Sequence, residues 1–280
     1  MRCTLPPAAT VNCEHYPVTD TTACNEAELS SAIEALLVKR NPRGMASIRQ
    51  VLPAGYYARA ARVLYNARGT VLIGTGFPVL DTFETDGPVG AIALYQTLQQ
   101  LGAKPVIVCG KPLSGVLQQD YRVHEIAVSN RAGRREEARL ALELWQPDAV
   151  VSIERPGLST DGRYYNMRGE DITPRSAFFD PYLDSAACPT IAIGDGGNEI
   201  GMGNIKAAIA TLDINASVTT CDELLVADVS NWGAYGLIAL LAMWSGRDLL
   251  AEMGRDLKHQ IARKTAERDL LKDQFERLSR

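Results

Sequence analysis

Histidine and net positive charge are scarce in this chain, and its cysteines avoid the spacings that bind metal. Lys and Arg together number 29 against 33 Asp and Glu, a formal net charge of −4. That balance gives no electrostatic case for nucleic acid or an anionic membrane surface, so small molecules are the expected partners. The 3 histidines, His15, His124 and His259, stand isolated, which sets aside Ser-His-Asp and Cys-His chemistry. The 6 cysteines, Cys3, Cys13, Cys24, Cys109, Cys188 and Cys221, contain no C-x-x-C pair and read as ordinary reduced thiols of a cytoplasmic protein. The N-terminus lacks the apolar stretch of a secretory signal. The longest apolar run, 232–244 (WGAYGLIALLAMW), is shorter than the ~20 residues that span a bilayer and predicts a buried helix. Nucleotide loops are missing as well. Counted from Gly194, the third glycine of G-x-G-x-x-G would be Glu199, and from Gly74 it would be Val79; there is no G-x-x-x-x-G-K-[ST] either. No nucleotide cofactor is expected.

What is present is the alternation of an α/β protein. At 280 residues with 46% hydrophobic side chains, the chain can bury one large core or two small ones. Helical spacing at Leu29, Ile33, Leu36 and Leu37 predicts a helix over 27–39, stopped by Asn41-Pro42-Arg43-Gly44, and a second follows at 56–65. Short β-branched runs at 70–73, 105–109, 123–128, 149–153, 190–193 and 224–227 predict strands, with helices at 91–101 and 134–145 among the segments between them. The fold expected is a Rossmann-like, doubly wound, mostly parallel sheet. One connection, 155–189, far exceeds the ~4–6 residues usual between elements and predicts a lid-like excursion over a binding site. The chain divides into a leader at 1–25, an α/β domain at 26–246 and a charged helical tail at 247–280. The tail suits packing on the domain or pairing with a second subunit in a homo-oligomer.

In open α/β sheets ligands gather beyond the carboxyl ends of the strands, and the polar motifs fall there. The first strand runs into a loop with Thr75, Glu84 and Asp86; the fourth delivers Glu154 and Arg155; the fifth delivers GDGGNE (194–199); the last leads to Asp228, Ser230 and Asn231. Asp195 and Glu199 would repel phosphate, so a metal ion or a substrate ammonium suits the glycine loop better. Glu154, Asp195, Asn198 and Glu199 are oxygen donors of the kind a hard divalent cation such as Mg²⁺ or Mn²⁺ takes. Against this stand structural readings in which Asp195 and Asn198 organise a turn and cap a helix, and Glu154-Arg155 form an ion pair.

Taken together, TGFPV (75–79), ETDGPVGA (84–91), SIERPG (152–157), YYNMRGEDI (164–172), IGDGGNEIGMG (193–203) and SNWGAYG (230–236) resemble, in order and spacing, the cyclase-like C-terminal domain of the D-glutamate cyclase family. The resemblance implies a carbon-oxygen lyase that converts D-glutamate to 5-oxo-D-proline and water, with an acidic amino acid as its partner. Chemistry within those motifs suggests roles. Glu154 or Asp195 would take the ammonium proton, and Arg155 or a bound metal would stabilise the oxyanion with the Gly196 and Gly197 amides as further donors. Arg168 would clamp the α-carboxylate, and Thr75, Asp86, Asn166, Asn198, Ser230 and Asn231 would complete the substrate pocket. The same pocket chemistry fits a non-catalytic binder of an acidic amino acid, or a lyase or hydrolase acting on another small carboxylate.

Overall fold

The computed structural model describes residues 26–210, 212 and 214–252. Three helices come first: α1 (Glu26–Leu37), α2 (Met45–Arg49) and α3 (Tyr56–Asn66). The first strand, β1 (Thr70–Thr75), is followed by a small antiparallel hairpin, β2 (Pro78–Val79) and β3 (Thr82–Phe83), before α4 (Pro88–Gln100). Next come β4 (Lys104–Cys109), α5 (Leu113–Leu117), β5 (Val123–Glu125), α6 (Arg134–Trp145) and β6 (Pro147–Ile153). The last part holds α7 (Asp180–Asp184), β7 (Thr190–Gly194), α8 (Lys206–Ile209), β8 (Glu223–Val226) and α9 (Ser230–Ser245).

Six strands form one sheet in the order β5-β4-β1-β6-β7-β8, every adjacent pair parallel. The chain enters at the middle, winds outward to β5, then returns to β6 and winds outward the other way. This is the doubly wound arrangement, and its reversal opens a crevice at the carboxyl ends of β1 and β6. Strands β1, β4, β6, β7 and β8 are almost wholly buried, which accounts for their continuous rather than alternating apolar sequence. Helix α9 packs against α4, α3 and α1, while α6 packs on α7. Gly90 permits the α4–α9 approach, since a Cβ there would meet the Asn231 backbone at 3.0 Å and Ala234 Cβ at 3.1 Å.

Strand β5 is shorter than its apolar run predicts. After Glu125 the chain leaves the sheet: the Ala127 amide donates to Glu137 of α6 at 2.8 Å, and Ser129 donates to the Ser176 carbonyl at 2.8 Å. The excursion is anchored at its base. Tyr164, Ile172 and Phe178 form a small second core with Phe77, and buried Asp180 accepts from the Leu158 amide, the Tyr164 hydroxyl and the Thr219 hydroxyl. The longest exposed stretch of the excursion is 167–171. Among the described residues no helix is long and apolar enough to cross a membrane. The leader at 1–25 and the tail beyond 252, with their expected roles, lie outside the described residues.

Candidate functional site

Three buried carboxylates converge where the sheet order reverses. Glu154 is the first residue past β6 and is 4% exposed. Its φ of 49° lies in the left-handed region, a conformation that costs a side-chain-bearing residue about 1–3 kcal/mol and recurs at functional sites. Asp195, just past β7, and Glu199 are equally buried. Asp86 and Glu84 arrive from the segment between β3 and α4. Gly87, at φ 93°, lets that segment in, because a Cβ there would lie 2.7 Å from Glu154 Cβ and 2.8 Å from Thr75 Oγ1. One oxygen from each of Asp86, Glu154 and Asp195 lies within 4.8 Å of the others.

The surrounding hydrogen bonds separate residues that fix the framework from those that face the cavity. Asp86 accepts from the Ser230 and Asn231 amides at 3.0 and 2.7 Å, at the N-terminus of α9, where unpaired amides and the helix dipole favour an anion. Asn231 Oδ1 answers by accepting from Gly87 and Gly90 at the start of α4, at 2.9 and 2.6 Å. The two helices thus cap each other, and Asn231 is used in holding them. The Ser230 hydroxyl donates to Glu154 Oε2 at 2.5 Å. Glu199 accepts from the Gly197 amide at 2.7 Å, and the Gly196 amide also bonds to it. The amides expected to serve an oxyanion therefore hold a carboxylate. Asn198 donates from Nδ2 to the Tyr165 carbonyl at 2.9 Å, while its buried Oδ1 has no partner among the described residues.

Arg43 pairs with Asp195 at the cavity edge. Its turn is held by Asp228, at the end of β8, which accepts from the Arg40 and Asn41 amides at 2.7 and 3.1 Å. Arg155, adjacent to Glu154 in sequence, makes no ion pair with it. Its guanidinium donates to the carbonyls of Thr75 (3.1 Å), Gly76 (3.0 Å) and Ala177, and lies over the Phe179 ring.

Burial and mutual repulsion set the protonation of the cluster. Burial pushes Glu154 well above the usual carboxylate range, reinforced by the charges of Asp195, Glu199, Asp86 and Glu84. Burial and Glu199 raise Asp195 to about 8, with Arg43 opposing. Burial and Asp86 raise Glu84 to about 7, and Glu84 shares a hydrogen bond with Glu154, which requires a proton between two carboxyl groups. Burial also raises Glu199, against the pull of its amide donors. These groups titrate as a set. Near neutral pH the set keeps protons that it can give, alongside oxygens basic enough to take one.

Glu84, Glu154, Asp195 and Glu199 line a cavity of about 360 Å³, together with Arg43, Arg168, Glu170 and Arg175. Asn166 organises the turn at 166–170, its Oδ1 accepting from the Arg168 and Glu170 amides at 2.9 and 3.0 Å. The Arg168 side chain has no hydrogen-bond partner among the described residues. Thr75 and Arg155 line an adjoining cavity instead. Sequence reasoning did not select Arg43 or Glu84 for the site. Glu84 was visible in the Asp86 segment, but Arg43 sits in what reads only as a helix-terminating turn.

A family model described as D-glutamate cyclase-like, C-terminal, matches residues 33–278. The mitochondrial D-glutamate cyclase of Homo sapiens is 34% identical over 210 residues, covering 65% of this chain and 34% of that protein. The chain thus spans about a third of that relative's length. A crystal structure of an exopolyphosphatase-related protein from Bacteroides fragilis aligns with 70% of this chain and 46% of its own at a TM-score of 0.37 and 10% identity, too distant to bear on the argument.

Proposed function

Because the chain belongs to the D-glutamate cyclase-like C-terminal family, we propose that it cyclises D-glutamate to 5-oxo-D-proline and water in the acidic cavity. The reading rests on one observation: the buried, proton-holding carboxylates Glu154 and Asp195 share a cavity with three arginines, Arg43, Arg168 and Arg175, and with the exposed Glu170. D-Glutamate is complementary to that arrangement, with one ammonium for the floor and two carboxylates for the edge.

The reaction converts an ammonium and a carboxylate into an amide and water, so the two protons lost by nitrogen equal the two gained by the departing oxygen. The protein has to move protons without net gain or loss. Asp195, as carboxylate, takes the first proton from the ammonium once the substrate displaces Arg43. Glu154, as acid, protonates the side-chain carboxyl and makes its carbon electrophilic. Attack by the amine gives a tetrahedral centre, whose hydroxyl leaves as water with the second nitrogen proton relayed through the cluster. Ser230 holds Glu154 Oε2 in place, and Arg168 with Arg175 holds the α-carboxylate so that the chain folds on itself.

The unpartnered Asn198 Oδ1 favours a second occupant, a hard divalent cation. Asp86, Glu154 and Asp195, with Asn198 and Glu199 beside them, would hold Mg²⁺ or Mn²⁺, which when bound supplies Lewis-acid polarisation of the reacting carboxyl.

Asp195→Asn tests the reading, since it removes charge at nearly constant shape. Turnover of D-glutamate falls by roughly 10²–10⁴-fold with the thermal transition retained. Full activity in the folded variant would reduce Asp195 to a partner for Arg43.

A further inference from the structure

Beside the acidic cavity lies a second one of about 240 Å³, at the carboxyl ends of β1 and β4. Leu80 and Arg175 belong to both, so the two are neighbours separated by the β2–β3 hairpin. Their chemistry is opposite. The second cavity has one acidic residue, exposed Asp81, against Lys111, Arg155 and Arg175, and its remaining surface is mostly apolar.

None of these cations is fully matched by a carboxylate. Arg155 is 3% exposed and donates only to carbonyls, and its Nε has no acceptor among the described residues. Arg175 donates to the Leu80 carbonyl at 2.8 Å, and Lys111 approaches Glu125 only at 3.6 Å while largely exposed. Three cations around one exposed carboxylate leave this cavity with an excess of positive charge that a ligand offsets. The ligand that does so is an anion with an apolar body small enough for the space. An ammonium would meet three like charges and is disfavoured there.

We propose that this second cavity binds a compact monocarboxylate without an ammonium group, of which 5-oxo-D-proline is the instance. Only that identity rests on the proposed cyclase reading; the charge and size selection do not. Ring closure removes the ammonium that the acidic floor recognises, so substrate and product prefer different cavities. The proposal gives the β1–β4 crevice a function separate from the proton chemistry at Glu154 and Asp195.

The test is equilibrium binding of four probes, 5-oxo-D-proline, cyclopentanecarboxylate, D-glutamate and inorganic phosphate, to the wild-type chain and to Thr82→Glu, Lys111→Ala and Asp195→Asn. Thr82 and Lys111 are exposed positions on the rim of the second cavity. Both ammonium-free carboxylates are expected to lose about tenfold or more in affinity in Thr82→Glu and severalfold in Lys111→Ala, with little change in Asp195→Asn. D-Glutamate shows the reverse pattern. Carboxylate binding that falls in Asp195→Asn but survives Thr82→Glu would overturn the proposal, as would phosphate binding as tightly as either carboxylate. If the carboxylates follow the expected pattern while D-glutamate is neither bound nor turned over, the second cavity stands and the cyclase reading fails.

Discussion

Arg43, on the turn after α1, is ion-paired with Asp195 at the end of β7. The guanidinium is 43% exposed and the carboxylate only 6%, so the cation reaches from the surface to the edge of a buried acidic floor. A substrate ammonium has to take the same carboxylate. Arg43 thereby acts on Asp195 in two ways, as a competitor for its oxygen and as the charge that keeps its proton affinity from rising further.

Removing that charge moves the titration. With Asp195 raised to about 8 by burial and Glu199, kcat/KM should climb with pH toward that value as the base ionises. Arg43→Gln is expected to shift this limb upward by about one unit. A pH–rate profile with an unmoved limb would show that Asp195 is not the ionising base.

The same carboxyl group makes stability pH-dependent. An acid whose folded pKa lies above its unfolded value binds more protons folded than unfolded between the two, so stability falls as pH rises across that window. For Asp195 the window runs from the ordinary aspartate value of 3.8 to about 8, and the raised Glu84 and Glu154 act in the same direction. The Tm of the ligand-free chain should decline from pH 5 to pH 8, and more shallowly in Asp195→Asn. Parallel profiles for the two proteins would contradict the placement of Asp195 in the buried cluster.

Arg168, exposed on the excursion, lines the acidic cavity. Arg168→Ala should weaken D-glutamate binding by about tenfold and leave binding of 4-aminobutyrate, which lacks the α-carboxylate, little changed. Ligand should also protect the excursion from proteolysis. Equal losses for both compounds with unchanged cleavage would remove the clamp while leaving the floor intact.

Much of this was legible in the sequence, for identifiable reasons. Buried parallel strands are apolar on both faces, so the runs at 70–73, 105–109, 149–153, 190–193 and 224–227 each located a strand of the sheet. Glu154 and Asp195 could be placed at the carboxyl edge of the sheet because each directly follows a strand, where topology decides position. Function within a wall was harder to read. Asn231 looked like a ligand group and is instead a helix cap. Arg155 looked like an electrophile beside Glu154, yet a residue later in the chain its side chain is bound by carbonyls in the neighbouring wall. Arg43 carried no local signal, because its turn is tied to the end of β8 by a residue distant in sequence, Asp228, which accepts from the Arg40 and Asn41 amides.

Metal dependence has a separate test. Exhaustive chelation should reduce turnover, and Mg²⁺ or Mn²⁺ should restore it, with a matching rise in Tm on addition of the ion to wild type that is absent in Asp195→Asn. Undiminished turnover in chelated protein shown to be metal-free would leave acid–base work to the carboxylates alone.

Conversion of an amino acid into its lactam in the acidic cavity is measured directly by ¹³C NMR of D-[5-¹³C]glutamate incubated with the purified chain, with the L enantiomer in parallel. A growing lactam carbonyl resonance is expected from the D enantiomer and is lost in both Asp195→Asn and Glu154→Gln. Saturable binding of D-glutamate with no lactam formed, with or without added Mg²⁺ or Mn²⁺, would contradict it and make the cavity a binding site.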